Sequence, residues 1–174
     1  MNSHPSATVA LVALLATSLA ACQRSEAPEP PLEGAWSVVS ISVTGDSAAG
    51  TTVQPSLYLF TDQHYSMMRV TGNQPRALAA KDSVTAAEKI AAYDSFVANS
   101  GTYEVADSTI TVHPVVARSP NFMAGGSDKY RFRVAGDTLW LSNTGTEFMT
   151  MSGGRLATPA GTRSATMLVL VRQQ

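Results

Sequence analysis

The chain has 174 residues and a mass of 18.3 kDa, which suits one globular domain with a short appendage. Its formal net charge is -1 and its pI is about 6.3, so it lacks the basic field that attracts nucleic acid. Apolar residues make up 44% of the sequence and charged residues 14%, a balance that supports a hydrophobic core and excludes disorder for most of the chain.

The N-terminal segment Ala7–Ala21 is uncharged and rich in Ala, Leu and Val. It is shorter than the roughly 20 residues that a membrane-spanning helix needs, and its length is typical of the apolar part of a secretory signal. The residues before it include His4 but no Lys or Arg, where a signal normally carries positive charge. Either translation therefore starts further upstream or export is weak.

The block Leu19–Cys22, with the sequence LAAC, resembles the bacterial lipoprotein signal, in which a cysteine after small residues is lipidated and becomes the mature N-terminus. This resemblance implies a signal peptide over residues 1–21 and a lipid anchor on Cys22, so that Cys22 is not an enzyme nucleophile. The alternative is an unmodified cysteine buried in a first helix. In double-membrane bacteria a residue other than Asp after this cysteine implies outer-membrane sorting, and Gln23 meets that condition. We therefore expect an outer-membrane lipoprotein that faces the periplasm, with surface exposure as an alternative.

Residues 22–33 are rich in proline and charge, which predicts a flexible tether before a domain that spans residues 34–174. From Gly34 onward, apolar and polar residues mostly alternate in short segments bounded by turn-forming residues, a pattern that predicts β-strands. The predicted strands are Trp36–Val43, Ser56–Thr61, Tyr65–Thr71, Gly101–Ala106, Thr109–Ala117, Lys129–Ala135, Thr138–Ser142 and Ala165–Gln173.

One segment, Val84–Asn99, predicts a helix instead. Thr85 and Glu88 have the spacing of a capping box, and a stop signal follows at residues 99–101. One helical face would carry Ala86, Ile90, Tyr93 and Val97. Residues 143–163 predict a loop with a short irregular strand at Glu147–Met151.

A sheet of about eight antiparallel strands has unpaired edges, and closure into a barrel removes them. The interior of an eight-stranded barrel is either packed or able to hold one small ligand. The sequence thus predicts a mostly β protein, a closed antiparallel β-barrel with one helix.

Several motifs resemble the bacterial lipocalin-like domain family. Gly34-Ala35-Trp36 has the Gly-x-Trp form that opens the first strand, and Lys89–Ser142 contains a helix ending in Tyr-x-x-Phe, a Ser-Gly-x-Tyr strand start and a Gly-Asp-x-Leu hairpin. The likeness spans Gly34–Arg172 and implies an open-mouthed lipocalin-like barrel, in a fold whose better-known members carry hydrophobic small molecules. Pro114 departs from the pattern, because it removes a ladder hydrogen bond and predicts a bulged or edge strand.

The resemblance also implies a structural pair at the closed end of the barrel. In lipocalins an arginine on the last strand commonly packs over the opening tryptophan, which assigns this role to Arg172 and Trp36. The guanidinium over the indole face would contribute a cation–π contact of ~0.5–2 kcal/mol.

Four polar residues are candidates for ligand binding: Arg69, Tyr103, His113 and Arg131. If all four point into the barrel, they suit an anionic or carboxylate-bearing apolar ligand, because arginine binds carboxylates through two parallel hydrogen bonds. If they point outward, they are ordinary solvated residues, and we rank this interpretation first. Alternation alone places His113 on the face of Ala117, but it does not tell inside from outside.

Three functions remain open. We favour a membrane-anchored protein that binds or carries a small hydrophobic molecule, with or without a carboxylate. The second is a barrel enzyme of isomerase or cyclase type, with His113 as acid or base and Arg131 or Tyr103 stabilising negative charge. The third is a filled barrel with a structural or partner-binding role in the envelope. No cofactor or nucleic acid is expected, and no metal, because His64 and His113 lack close-spaced ligands.

Overall fold

The computed structural model describes residues 32–43, 52–76, 83–159 and 166–174. The predicted signal peptide, Cys22 and most of the predicted tether lie outside these ranges. The strands are β1 (Gly34–Val43), β2 (Ser56–Phe60), β3 (His64–Val70), β4 (Phe96–Ala106), β5 (Thr109–Ala117), β6 (Ser127–Ala135), β7 (Thr138–Met149), β8 (Arg155–Pro159) and β9 (Thr166–Arg172). The helices are α1 (Ala86–Asp94) and α2 (Pro120–Met123).

Eight of the strands close into an antiparallel barrel, as the sequence predicts. Neighbouring strands follow the order β6-β5-β4-β3-β2-β1-β9-β7, and β7 pairs with β6 to complete the ring. The first half of β7 pairs with β9, whereas its second half pairs with the additional strand β8. Closure leaves the eight barrel strands without a free edge over most of their length.

The two ends of the barrel differ in their connections. Short turns at residues 61–63, 107–108 and 136–137 join strands at one end, which we call the closed end. At the Asp107 and Gly136 positions φ is 53° and 56°, the left-handed conformation that tight hairpins use. The other end, here the open end, carries the longer connections that contain α1, α2 and β8.

The hydrophobic core fills the closed half of the barrel. Its members alternate along the strands and point inward: Trp36, Val38, Tyr58, Phe60, Tyr65, Met67, Ile110, Val112, Val134, Leu139, Leu141, Leu168 and Leu170. Each such side chain stabilises the fold by ~1.5–3 kcal/mol relative to an exposed one. This half of the barrel is therefore packed rather than hollow.

The helical prediction is right at its start and wrong at its end. The Glu88 backbone N–H donates to Thr85 Oγ1, and the Thr85 backbone N–H donates to the Glu88 carboxylate. The predicted capping box is therefore present. The helix stops at Asp94, and Val97, which the helical face would include, lies in β4 opposite Arg69. Pairing with β3 offers these residues a complete ladder of backbone hydrogen bonds, which outweighs local helical preference. Among the described residues, no helix is long and apolar enough to span a membrane.

The bulge expected from Pro114 is present in β5. Gly101 lies opposite Pro114 and Ser100 opposite Val116, so the residue between them is extra. A Cβ atom at Gly101 would lie 2.0 Å from the His113 carbonyl oxygen. Any side chain here would clash with the backbone of β5, and glycine avoids this clash. The bulge also shifts the alternation, and Ala117 pairs with Asn99 on the inner face instead of sharing the face of His113.

Candidate ligand site in the open half of the barrel

The open half of the interior contains a partly buried carboxyl group, that of Asp128, held by donors from β6 and β7. Thr146 Oγ1 donates to Asp128 Oδ1 at 2.5 Å, and Tyr130 Oη donates to Asp128 Oδ2 at 2.9 Å. Asn143 Nδ2 donates in turn to Thr146 Oγ1 at 3.4 Å. We call these four residues the Asp128 centre.

A bulge in β7 assembles this centre. Tyr130 pairs with Asn143 and Lys129 with Gly145, so Thr144 is an extra residue in β7. Residues three positions apart on a regular strand face opposite sides, but the extra residue brings Asn143 and Thr146 to the same face. Both side chains can therefore approach Asp128.

Burial and neighbouring charges shift the pKa values of Asp128 and of the tyrosines near it. Burial raises the pKa of Asp128, while hydrogen bonds from Thr146 and Tyr130 and the positive charge of Arg69 oppose that rise. The pKa values of Tyr130 and Tyr65 are raised first by burial and then by the negative charge of Asp128. Arg69 on β3 thus faces an acid across the barrel interior.

Two buried polar atoms close to this centre have no hydrogen-bond partner among the described residues. They are the hydroxyl oxygen of Tyr65 on β3, whose ring belongs to the hydrophobic core, and Asn99 Oδ1 on β4. Met67 pairs with Asn99 and Tyr65 with Gly101, which puts Tyr65 and Asn99 diagonally across two strands on the inner face. A buried donor or acceptor without a partner costs ~1–3 kcal/mol, so each of them would gain from a polar ligand.

A cavity of about 160 Å³ adjoins the centre and is lined by Asp128, Asn99, Val97, Ala117, Phe122 and Phe148, among others. Helix α2 crosses this region. The Phe122 ring is 5% exposed and lies 5.5 Å from the Phe148 ring, centroid to centroid. Asn121 Nδ2 donates to the Met149 carbonyl oxygen at 2.7 Å and holds α2 to β7. The cavity is therefore covered on one side by a single helical turn.

The four residues proposed from sequence are not brought together. Arg69 faces inward near Asp128. Tyr103 also lies inside, but at the closed end, where its hydroxyl donates to the Thr61 carbonyl oxygen and its ring meets Phe60 edge-on at 5.5 Å.

His113 and Arg131 lie on the outer wall. Because Val112 is buried inside, its neighbour His113 points outward and pairs with the exposed Thr102. Arg131 is likewise exposed, since Tyr130 occupies the inward position before it. The acid–base arrangement of the enzyme alternative is thus absent from the interior of the described barrel.

At the closed end, the Arg172 guanidinium carbon lies 4.2 Å from the centroid of the Trp36 ring. The Trp36 indole N–H donates to the Leu32 carbonyl oxygen at 2.9 Å, and Arg172 Nη1 donates to the Glu33 carbonyl oxygen at 2.6 Å. These contacts fix Leu32 and Glu33, the last two residues of the predicted tether, to the barrel.

Sequence reasoning missed Asp128, although a signal was available. Tyr130, Phe132 and Val134 form the inward face of β6, and Asp128 continues their alternation one position before the predicted start of the strand. An acid that extends an apolar face is a candidate for a buried functional group. Tyr65 and Asn99 carry no comparable signal in the sequence, because the lack of a hydrogen-bond partner for their side-chain oxygens depends on the tertiary packing.

The described residues contain no group of three or more His, Cys, Asp or Glu side chains that could hold a metal ion. No curated protein matches the chain. The profile of the lipocalin-like domain family matches residues 33–166, well over half of the sequence. The chain therefore belongs to the lipocalin-like domain family, and its barrel fits a ligand-binding lipocalin.

Proposed function

We propose that this protein is a membrane-anchored carrier that binds a small, mainly apolar molecule in the open half of its barrel. The observation that carries the proposal is the pair of unpartnered buried atoms, Tyr65 Oη and Asn99 Oδ1, next to the acid Asp128. A mostly apolar site with a few convergent polar groups is typical of small-ligand binding.

The polar end of the ligand is a neutral group that both donates and accepts hydrogen bonds. Tyr65 Oη has a proton to donate, whereas Asn99 Oδ1 can only accept. A hydroxyl or a primary amide satisfies both atoms. A carboxylate, which the sequence suggested, would lie beside a second carboxyl group, that of Asp128, and Arg69 already faces that acid.

The size of the cavity restricts the ligand or requires α2 to move. About 160 Å³ is less than the ~300–1,000 Å³ of a site for a drug-sized molecule. Asn99 lines this cavity and Tyr65 does not, so an alcohol that bonds both residues must extend beyond the cavity. A longer ligand would displace Phe122, which sits on a four-residue helix.

Octanol and octanoate form a matched pair of probes for this proposal. We expect the purified full-length protein to bind octanol more tightly than octanoate in calorimetric titrations at neutral pH. Tyr65→Phe should weaken octanol binding by about five- to ten-fold, the loss of one hydrogen bond of ~1–1.5 kcal/mol. Tyr103→Phe is the control, because its hydroxyl is bonded to Thr61 at the closed end, and should leave octanol binding unchanged. Tighter binding of octanoate, or equal effects of the two variants, would contradict the proposal.

The proposed anchor is a lipid on Cys22, and the motif LAAC with Gln23 supports an outer-membrane location facing the periplasm. More than one acyl chain is needed for stable attachment, and the lipoprotein modification provides it. Cys22→Ser should move the protein from the membrane fraction to the soluble fraction of its host. Membrane retention of Cys22→Ser would count against the anchor without affecting the ligand site.

A further inference from the structure

The outer wall of the barrel carries a groove that is separate from the Asp128 centre. It encloses about 660 Å³ over β6, β7 and β9, and the residues lining it include Asp107, Arg131, Arg133, Trp140, Ser142 and Met167. Arg133 pairs with Trp140 across the strands, and Ser142 pairs with Arg131 on one side and Met167 on the other. Neighbouring outward positions of three strands therefore form one continuous surface.

An aromatic ring and two guanidinium groups dominate this surface. The Arg133 guanidinium carbon lies 3.7 Å from the centroid of the Trp140 ring, so the cation is stacked on the indole. Met167 is 41% exposed and adds an apolar contact beside them. Tryptophan and arginine side chains of this kind are favoured at the boundary between water and lipid headgroups.

The outer face of β6 carries a row of exposed cations at alternate positions: Lys129, Arg131 and Arg133. None of them forms an ion pair with another residue of the described ranges. The groove includes one acid, Asp107, so its own side chains leave an excess of positive charge. This surface is complementary to an anionic partner.

The chain that leads to Cys22 leaves the barrel at the end where this groove lies. Arg133 is followed by the closed-end turn at residues 136–137, and Asp137 Oδ1 lies 3.6 Å from Arg172 Nε. Arg172 Nη1 donates in turn to the carbonyl oxygen of Glu33 at the start of the barrel. The ten residues from Gln23 to Leu32 span at most ~35 Å when fully extended. A lipid on Cys22 would thus hold the groove within reach of the bilayer.

We propose that this groove binds the anionic phospholipid headgroups of the membrane to which the protein is anchored. The inference rests on the proposed lipid anchor for its geometry. Arg131 and Arg133 contact lipid phosphates, while Trp140 and Met167 lie at the level of the glycerol backbone. The contact fixes the orientation of the barrel on the bilayer instead of leaving it to turn freely on the tether.

The test uses the mature, full protein on vesicles that contain a brominated lipid, which quenches nearby tryptophan. Vesicles of phosphatidylcholine alone are compared with vesicles that also contain phosphatidylglycerol. We expect Trp140 emission to be quenched only when phosphatidylglycerol is present, since Trp36 is buried at 0% exposure and supplies a constant background. Trp140→Phe should remove the quenched component.

Two charge-removing double variants then distinguish binding of anionic lipid in the groove from general electrostatic attraction of the protein to the membrane. Arg131→Gln/Arg133→Gln should reduce quenching to the level seen with phosphatidylcholine alone. Lys89→Gln/Arg155→Gln removes the same charge from the open end, where Lys89 lies on α1 and Arg155 on β8, and should leave quenching unchanged. Equal quenching for both double variants, or quenching that does not depend on phosphatidylglycerol, would overturn the proposal. Retention on phosphatidylcholine vesicles reports the anchor separately, so failure of the anchor is distinguishable from failure of the groove.

Discussion

The two ends of this barrel use their inward side chains differently. At the closed end Trp36 and Leu170 are 0% exposed, tight turns join the strands, and Arg172 stacks on the indole. At the open end longer connections bear α1 and α2, and the interior holds Asp128 with its donors. The closed half buries apolar surface, whereas the interior around Asp128 contains a carboxyl group and two polar atoms without partners among the described residues, Asn99 Oδ1 and the hydroxyl at the tip of the core residue Tyr65.

From this contrast we expect that fold stability and the proposed ligand binding depend on different parts of the barrel. Apolar burial stabilises at ~25 cal/mol per Å², while an unpartnered polar atom costs ~1–3 kcal/mol. Titratable groups with shifted pKa values cluster at functional sites, and Asp128 is such a group. Substitutions at the closed end should therefore change unfolding, and substitutions at the open end should change binding.

The largest effect is expected at the closed end. Trp36→Ala removes a fully buried side chain and its contact with Arg172, and should lower the free energy of unfolding by ~3–5 kcal/mol. Trp140→Ala, on the outer wall, is the control and should cost about 1 kcal/mol or less. Denaturant titrations of both variants measure the difference. Similar losses for the two tryptophans would contradict a core concentrated at the closed end.

A slightly smaller effect is expected at the β5 bulge between the two ends. Gly101→Ala would force a Cβ atom against the His113 carbonyl oxygen and the Val115 amide nitrogen, both backbone atoms that cannot turn away. We expect a loss of up to ~3 kcal/mol in thermal or denaturant unfolding. Gly145→Ala is a matched control, because its Cβ would find its nearest neighbour at 3.9 Å. An unaffected Gly101→Ala variant would show that the bulge is adaptable.

A pH-dependent effect should come from the open end. Because burial raises the pKa of Asp128, the folded state holds a proton that the unfolded state has already lost above its ordinary pKa of ~3.9. The free energy of unfolding should therefore decrease as pH rises from about 4 through the raised pKa. Asp128→Asn should lack this part of the slope in urea titrations across that range. An identical slope in both proteins would show that Asp128 is ionised at its ordinary pKa.

The smallest change in stability is expected for Tyr65→Phe. This substitution removes a hydroxyl that has no partner in the described structure, so unfolding should change by less than about 1 kcal/mol, toward greater stability. The same substitution is expected to weaken octanol binding, which sets it apart from a core substitution. A large loss of stability would reveal a hydrogen bond to Tyr65 that supports the fold.

The sequence predicts the barrel well because alternation, turn residues and the Gly-x-Trp motif are local signals. It also predicts the Thr85 capping box and the bulge at Pro114 for the same reason. The end of α1 is set by the pairing of the residues that follow it, in β4, with β3. Local sequence patterns do not report this pairing. Helix α2 and strand β8 are short elements that packing at the open end stabilises.

The candidate site was harder to predict than the fold. Which face of a strand points inward depends on its register with its neighbours, and this sends His113 and Arg131 outward while Arg69 stays inside. The bulge at Thr144 brings Asn143 and Thr146 together, and it lies in a segment that the sequence predicts as a loop. The polar residues of the candidate site lie on four strands, β3, β4, β6 and β7, so only their combined register brings them together.

The most direct test of the account is a crystal structure of the protein soaked with octanol. We expect one octanol molecule inside the barrel, with its hydroxyl ~2.7–2.8 Å from Tyr65 Oη and within hydrogen-bond distance of Asn99 Oδ1. Its alkyl chain should lie against Phe122 and Phe148. A barrel interior without octanol at concentrations that saturate the calorimetric titration, or octanol bound solely to the outer wall, would contradict the central claim.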